Sequence, residues 1–269
     1  MKKPRAAAVA GRFYPADPDE LRRDIDQFTA GAGQKIKARA CLVPHAGYMY
    51  SGGVAGKVYR AIEIPSRILM LGPRHFPRGE SLAILSDRTW QTPLGDAQID
   101  SGLAAELKQA FPLMREDAVA HETEHALEVQ LPFLQRLAGD FRFVPIVLGT
   151  ERFDVLEQLG RAIAKVYGAQ KQPFLILTSS DMNHYESDAI TRVKDRVALD
   201  RIAALDPAGL QKVIHEKEIS MCGYGSAIVM MTAMRALGAT QAEIVAYATS
   251  AEVSGDFDWV VGYAGAVVS

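Results

Sequence analysis

Only two cysteines, Cys41 and Cys222, occur in 269 residues, and they are far apart. That excludes a disulfide framework and makes a reducing cytoplasm the expected compartment. Long hydrophobic runs are missing too: the longest, 174–177 and 260–268, fall short of the ~20 residues a membrane span needs. Nor is there an excess of one charge. A net charge of -2 leaves no basic footprint for nucleic acid. The start, Met1-Lys2-Lys3-Pro4-Arg5, has the basic look of a secretory leader, but Arg12 interrupts the place of its apolar core, so no leader is expected. With no internal repeat, linker or low-complexity segment, residues 1–269 read as one domain.

What is present is 48% hydrophobic and 23% charged residues, enough for an ample core. The chain is organised around Leu42-Val43-Pro44-His45-Ala46-Gly47-Tyr48-Met49-Tyr50-Ser51-Gly52-Gly53. The apolar run 40–43 reads as a buried strand that stops at Pro44, because proline cannot donate to a sheet ladder. His45 then sits at the strand's carboxyl end, and Ser51 is placed to cap a helix over 54–62. The pattern returns at 67–71, stopped by Gly72-Pro73 and followed by His75, and at 173–177, followed by Ser179-Ser180-Asp181-Met182-Asn183-His184. Further strands are expected at 81–85, 141–148, 244–249 and 260–268, with 90–95 as loop. Asp17, Pro18 and Glu20 mark a helix start, and helices are expected at 102–111, 125–137, 153–167, 188–205, 207–215 and 227–237. Alternating strands and helices point to an α/β fold with a largely parallel central sheet flanked by helices. The last two strands can pair antiparallel at an edge.

In a parallel sheet all carboxyl ends face one rim, where ligands bind. His45, His75 and the Asp181/His184 pair are therefore candidates for a common site. Cys222 precedes glycine and a helix, where the positive end of a helix dipole would lower a thiol pKa; Cys41, inside a strand, reads as packing. His121-Glu122-Thr123-Glu124-His125 matches the H-E-x-x-H zinc pattern, but that motif needs both histidines on one established helix. A helix that has barely begun at His125 does not provide this, although Glu124 and His125 can still line the pocket. Ser51-Gly52-Gly53 lacks the residues of a phosphate loop, and Ser179-Ser180 lacks the G-x-S-x-G context of a hydrolase.

Two imidazoles and a thiolate offer three metal ligands with open positions. His184 would then shuttle protons, with Asp181 fixing its tautomer. Without a metal, the same groups read as a Cys–His hydrolase or transferase: Cys222 nucleophile, His184 base, Asp181 orienter. A third reading, from another class, is a non-catalytic binding module that docks a partner or holds a peptide.

Gly11-Arg12-Phe13-Tyr14-Pro15, Pro44-His45-Ala46-Gly47-Tyr48, Gly72-Pro73-x-His75, Thr92-Pro93-Leu94-Gly95, Glu124-His125-Ala126-Leu127-Glu128, Ser179-Ser180-Asp181-x-x-His184 and Cys222-Gly223 together resemble the Memo family. The resemblance covers essentially the whole chain. It implies a fold similar to class III (LigB-type) extradiol dioxygenases, with His45, His75 and Cys222 as metal ligands and Asp181 and His184 as catalytic pocket residues. It also implies Phe13 and Tyr50 in the pocket, iron or copper (divalent or cuprous) as cofactor, an unknown small-molecule substrate and a radical-SAM protein as partner. The dioxygenases have a carboxylate where this chain has Cys222. A thiolate is itself oxidisable, so the resemblance does not carry ring cleavage with it.

Overall fold

Apolar runs bounded by proline and glycine become the strands of one mixed sheet in the computed structural model, which describes residues 3–269. The strands are β1 (Ala40–Val43), β2 (Arg67–Pro73), β3 (Leu82–Ile84), β4 (Trp90–Thr92), β5 (Gly95–Ile99) and β6 (Arg115–Glu116). The second half of the chain adds β7 (Arg142–Leu148), β8 (Leu175–Ser179), β9 (His184–Glu186), β10 (Glu243–Thr249) and β11 (Val260–Val268). The main path runs β10-β11-β1-β8-β2-β7-β3-β6. Its centre, β1-β8-β2-β7, is parallel throughout. Antiparallel pairings flank it: β11 against β1, β10 against β11, and β3 against β7. The expected single-domain α/β architecture is the observed one.

Alternation along each strand builds two cores. Ile68 and Met70 of β2 face one layer, where the helices Pro18–Phe28, Tyr48–Ala61 and Leu131–Leu137 pack; Leu69 and Leu71 face the other. There the helices Ser101–Ala110, Phe153–Ala169 and Tyr224–Ala236 cover the sheet, Asp188–Ala203 lies against β10 and β11, and Pro207–Glu216 packs on Asp188–Ala203 and Tyr224–Ala236. The central strands are buried on both faces, which is why they read as continuous apolar runs. Each fully buried Leu, Ile or Val contributes about 1.5–3 kcal/mol relative to exposure.

Several local expectations change. Residues 90–95 are not all loop: Trp90–Thr92 and Gly95–Ile99 form a hairpin turning at Pro93 and Leu94, with Gly95 entering β5 at φ 118°. Ser51 caps nothing. The helix begins at Tyr48 behind Gly47, and the Ser51 hydroxyl instead donates to the Ala46 carbonyl within the first turn. Segment 125–137 divides into a 3-10 turn, Glu128–Gln130, and the Leu131–Leu137 helix, whose first turn accommodates Pro132. Asp17 does cap its helix, accepting from the Asp19 and Glu20 amides. Met1 and Lys2, part of the leader-like start, lie outside the described residues. Among the described residues no helix is long and apolar enough to cross a membrane.

Candidate metal centre

Because β1, β8 and β2 are parallel neighbours, the residues after them emerge on one rim. His45 follows β1, Asp181 follows β8 and His75 follows β2. A third imidazole joins them. One ring nitrogen each from His45, His75 and His125 lie within 4.8 Å of one another, a group that could hold a metal ion. His75 and His125 stack at 4.5 Å with 20° between planes, and His45 meets both edge-on. Donors about 2.1 Å from a transition metal lie up to about 4.2 Å apart, so the trio is close to ligating spacing.

The backs of two rings are fixed. Glu124, buried, accepts from both the His75 amide at 2.6 Å and its Nδ1–H at 2.8 Å. Burial opposes ionisation of Glu124, but the hydrogen bonds from His75 and Ala126 and the neighbouring imidazoles hold its pKa at about 2. A carboxylate only accepts, so His75 carries its proton on Nδ1 and turns the Nε2 lone pair to the rim.

His45 Nδ1 lies 2.9 Å from the Ser179 hydroxyl. That hydroxyl has one proton, given to the Ala126 carbonyl at 2.6 Å, and it already accepts from Gln130 Nε2. It can therefore only accept from His45, which leaves Nε2 as a lone pair here too. Gln130 is itself locked, donating to the Pro44 carbonyl and accepting from Tyr59. Burial lowers the pKa of His45 well below the ordinary value and that of His125 to about 4, with the imidazoles' mutual repulsion adding to it. Both shifts favour the neutral rings of His45 and His125, the form that binds metals.

Cys222 Sγ stands 3.2 Å from His45 Nε2, with its thiol also 3.7 Å from the Asp181 carbonyl oxygen. It arrives there through Gly223: a Cβ on that glycine would come within 2.5 Å of the Ser179 carbonyl and the Ser180 side chain. The expected helix-dipole activation is outweighed. Burial, reinforced by the Asp181 carboxylate, pushes the thiol pKa up.

Asp181 is buried and accepts the His45 amide at 2.7 Å, with its second oxygen 4.0 Å from His45 Nε2. Burial raises its pKa. It does not set the tautomer of His184. The Ser220 carbonyl does, accepting from His184 Nδ1 at 2.9 Å, while the Ser220 hydroxyl accepts the His184 amide. His184 thus keeps a free Nε2 in a half-buried place. Next to it Tyr185 adopts φ 62°, a conformation costing about 1–3 kcal/mol, and its exposed ring stacks on Trp259.

Phe13 meets His125 edge-on at 4.7 Å, as a pocket wall should. Its segment is pinned by Glu128, fully buried, which accepts from Arg5, Tyr14 and the amides of Ala8 and Val9. Tyr50 is 37% exposed in the first turn of its helix, and its side chain makes no hydrogen bond or ring contact among the described residues. His121 does not pair with His125 on a helix. Its short helix ends at Glu122, and the ring is buried against Trp90 with Nδ1 on the Asp117 carbonyl. Sequence reasoning missed Ser179, Gln130 and Ser220 as supports, and placed His125 in the wall rather than beside His75.

Comparison with known proteins gives the family and the fold. The family model described as Memo-like protein matches residues 5–267. MEMO1 family protein MK0963 of Methanopyrus kandleri is 39% identical, covering 98% of each chain. A MEMO1 family protein of Ignicoccus hospitalis is 42% identical over 97% of this chain and 96% of its own; one from Aquifex aeolicus is 39% identical over 98% of both. Among solved structures, the uncharacterized protein JW3007 from Escherichia coli K12 aligns with a TM-score of 0.60 at 12% identity, over 87% of this chain and 100% of that one. That likeness concerns the fold alone. The chain belongs to the Memo-like protein family.

Proposed function

We propose that this Memo-family chain is a metal-dependent enzyme of redox or oxygenase type, using iron or copper at the histidine rim on a small-molecule substrate. The observation that carries the reading is the convergence of His45, His75 and His125, two of them with Nδ1 anchored so that Nε2 can serve as a ligand atom. This donor set fits a transition metal, and a sulfur beside it tilts the preference toward softer, redox-active ions. His45 and His75 serve as ligands whether His125 or Cys222 completes the set. A metal held there would supply Lewis acidity and electron exchange.

The chain's own groups do the rest. His184, its Nδ1–H fixed on Ser220, holds a basic Nε2 that can take or return a substrate proton. Asp181 holds the His45 backbone at the rim. Phe13 packs edge-on against His125 and walls that side of the site. The metal-free reading would need His45 rather than His184 as the base beside Cys222, and burial favours the thiol over the thiolate there.

The test is anaerobic titration of the reduced protein with Fe(II) and Cu(I). One equivalent binds the parent, and His75→Ala abolishes it. Should both His75→Ala and Cys222→Ala bind metal as tightly as the parent, the reading is rejected.

A further inference from the structure

A cleft of about 830 Å³ opens beside the histidine rim, between the segment 3–13 and residues of 76–88 and 118–125. Phe13 and His125 belong to its lining, so the cleft and the trio share a wall. Its charge is one-sided. Lys3, Arg5, Arg12, Arg78 and Arg88 line it against a single carboxylate, Glu122.

Two of these cations are already occupied. Arg5 pairs with Glu128 at 2.6 Å and donates to the His121 and Glu124 carbonyls, and Arg78 lies 4.0 Å from Glu122. Arg12 and Arg88 have no side-chain partner among the described residues, and Arg88 Nε is shut off from solvent with no acceptor. A buried guanidinium N–H without an acceptor is a costly exception in a folded protein. Apolar side chains, Phe13 and Val119 among them, supply the surface between the charges.

We infer that this cleft binds a small anionic molecule with an apolar body. Its carboxylate or phosphate pairs with Arg12 and Arg88, in the forked geometry guanidinium groups favour. Its apolar part lies against Phe13 and Val119, which brings its other end to His125. The inference deepens the proposed function by giving the substrate class of that site, and it rests on that reading only for what happens at the metal. Anion capture needs no metal.

The test is calorimetric titration of the full chain, metal-free and metal-loaded, with phenyl phosphate, benzoate and neutral benzyl alcohol. At least one anion binds, roughly tenfold or more tighter than the alcohol, and weakens with added salt. The tighter of the two identifies the anionic group. Arg12→Gln and Arg88→Gln each weaken that binding roughly tenfold or more and leave metal affinity unchanged. Arg12 is exposed, so its variant keeps the fold and decides the matter if Arg88→Gln does not. Equal binding of alcohol and anions, no binding of either anion, or parent-like affinity in Arg12→Gln overturns the inference. Parallel Fe(II) titrations separate the failures: anion binding lost with metal binding kept refutes the cleft, and the reverse refutes the metal reading.

Discussion

Glu124 shows how one buried side chain decides the chemistry of another. It takes two hydrogen bonds from His75 and one from the Ala126 amide, so it fixes ring orientation, tautomer and the turn carrying His125 at once. Glu124→Gln replaces an acceptor oxygen with a donor facing His75, and metal affinity should fall roughly 10–100-fold, read by competition with a chromophoric chelator. Unchanged affinity would mean His75 is not a ligand. Ser179 plays the same part for His45 with a hydroxyl. The imidazoles at 45 and 75 were legible in the sequence because each follows a proline-stopped strand. The place of His125 was not, because its stacking on His75 joins residues fifty positions apart in the chain. Ser179 offered no sequence signal beyond being a hydroxyl at a strand end. Its role depends on three partners, His45 after β1 and Ala126 and Gln130 in a remote stretch of the chain.

Elements deliver these residues, and two contacts between elements are open to test. Gly223 lets the segment before the Tyr224–Ala236 helix press against the end of β8, and no side chain fits there. Gly223→Ala must push the backbone off the Ser179 carbonyl and carry Cys222 with it. Its expected signature is weakened metal binding with the melting temperature lowered by only a few degrees, measured by titration and scanning fluorimetry. The N-terminal segment hangs on Glu128. Glu128→Ala leaves Arg5 buried and unpaired, which should cost about 3–5 kcal/mol in urea unfolding and release the Phe13 wall. A loss below ~1 kcal/mol would show that the segment is held some other way.

Long parallel strands announced themselves by β-rich runs with clear stops. The hairpin at 90–99 and the three-residue β9 did not: strands this short carry no readable alternation, and their pairing is set by neighbours in the sheet. At the helix start, the sequence favoured Ser51 as a cap. Gly47 serves instead, because the backbone must turn beneath Phe13, whose carbonyl accepts the Tyr48 amide.

For the whole molecule, one sheet places its carboxyl-end rim in the centre of the chain's longest parallel run, and the surrounding burial makes the fold sensitive to acid. His121 is buried and its pKa falls from 6.5 to about 4, chiefly by desolvation. Unfolding lets it take a proton, so its contribution is complete above pH 6.5 and is lost as pH falls toward 4. Glu124, lowered from 4.5 to about 2, contributes above pH 4.5 and loses that as pH falls through 2. His125, lowered to about 4, acts in the same direction as His121. Each of these groups should therefore take about 3 kcal/mol from the metal-free protein as pH falls from 7 to 2, offset in part by Asp195, whose pKa burial raises to about 6 and whose protonation favours the fold between pH 6 and 3.8. His121→Gln should flatten the decline between pH 6.5 and 4. The same pH profile in parent and His121→Gln across that window would contradict the buried neutral histidine.

The most direct test of the central claim is elemental analysis of protein purified without oxygen and under reduction, compared with a His45→Ala, His75→Ala double variant. The account predicts close to one equivalent of iron or copper in the parent and none in the variant. Equal metal content in both proteins, or a parent that neither retains nor takes up either ion, would contradict it.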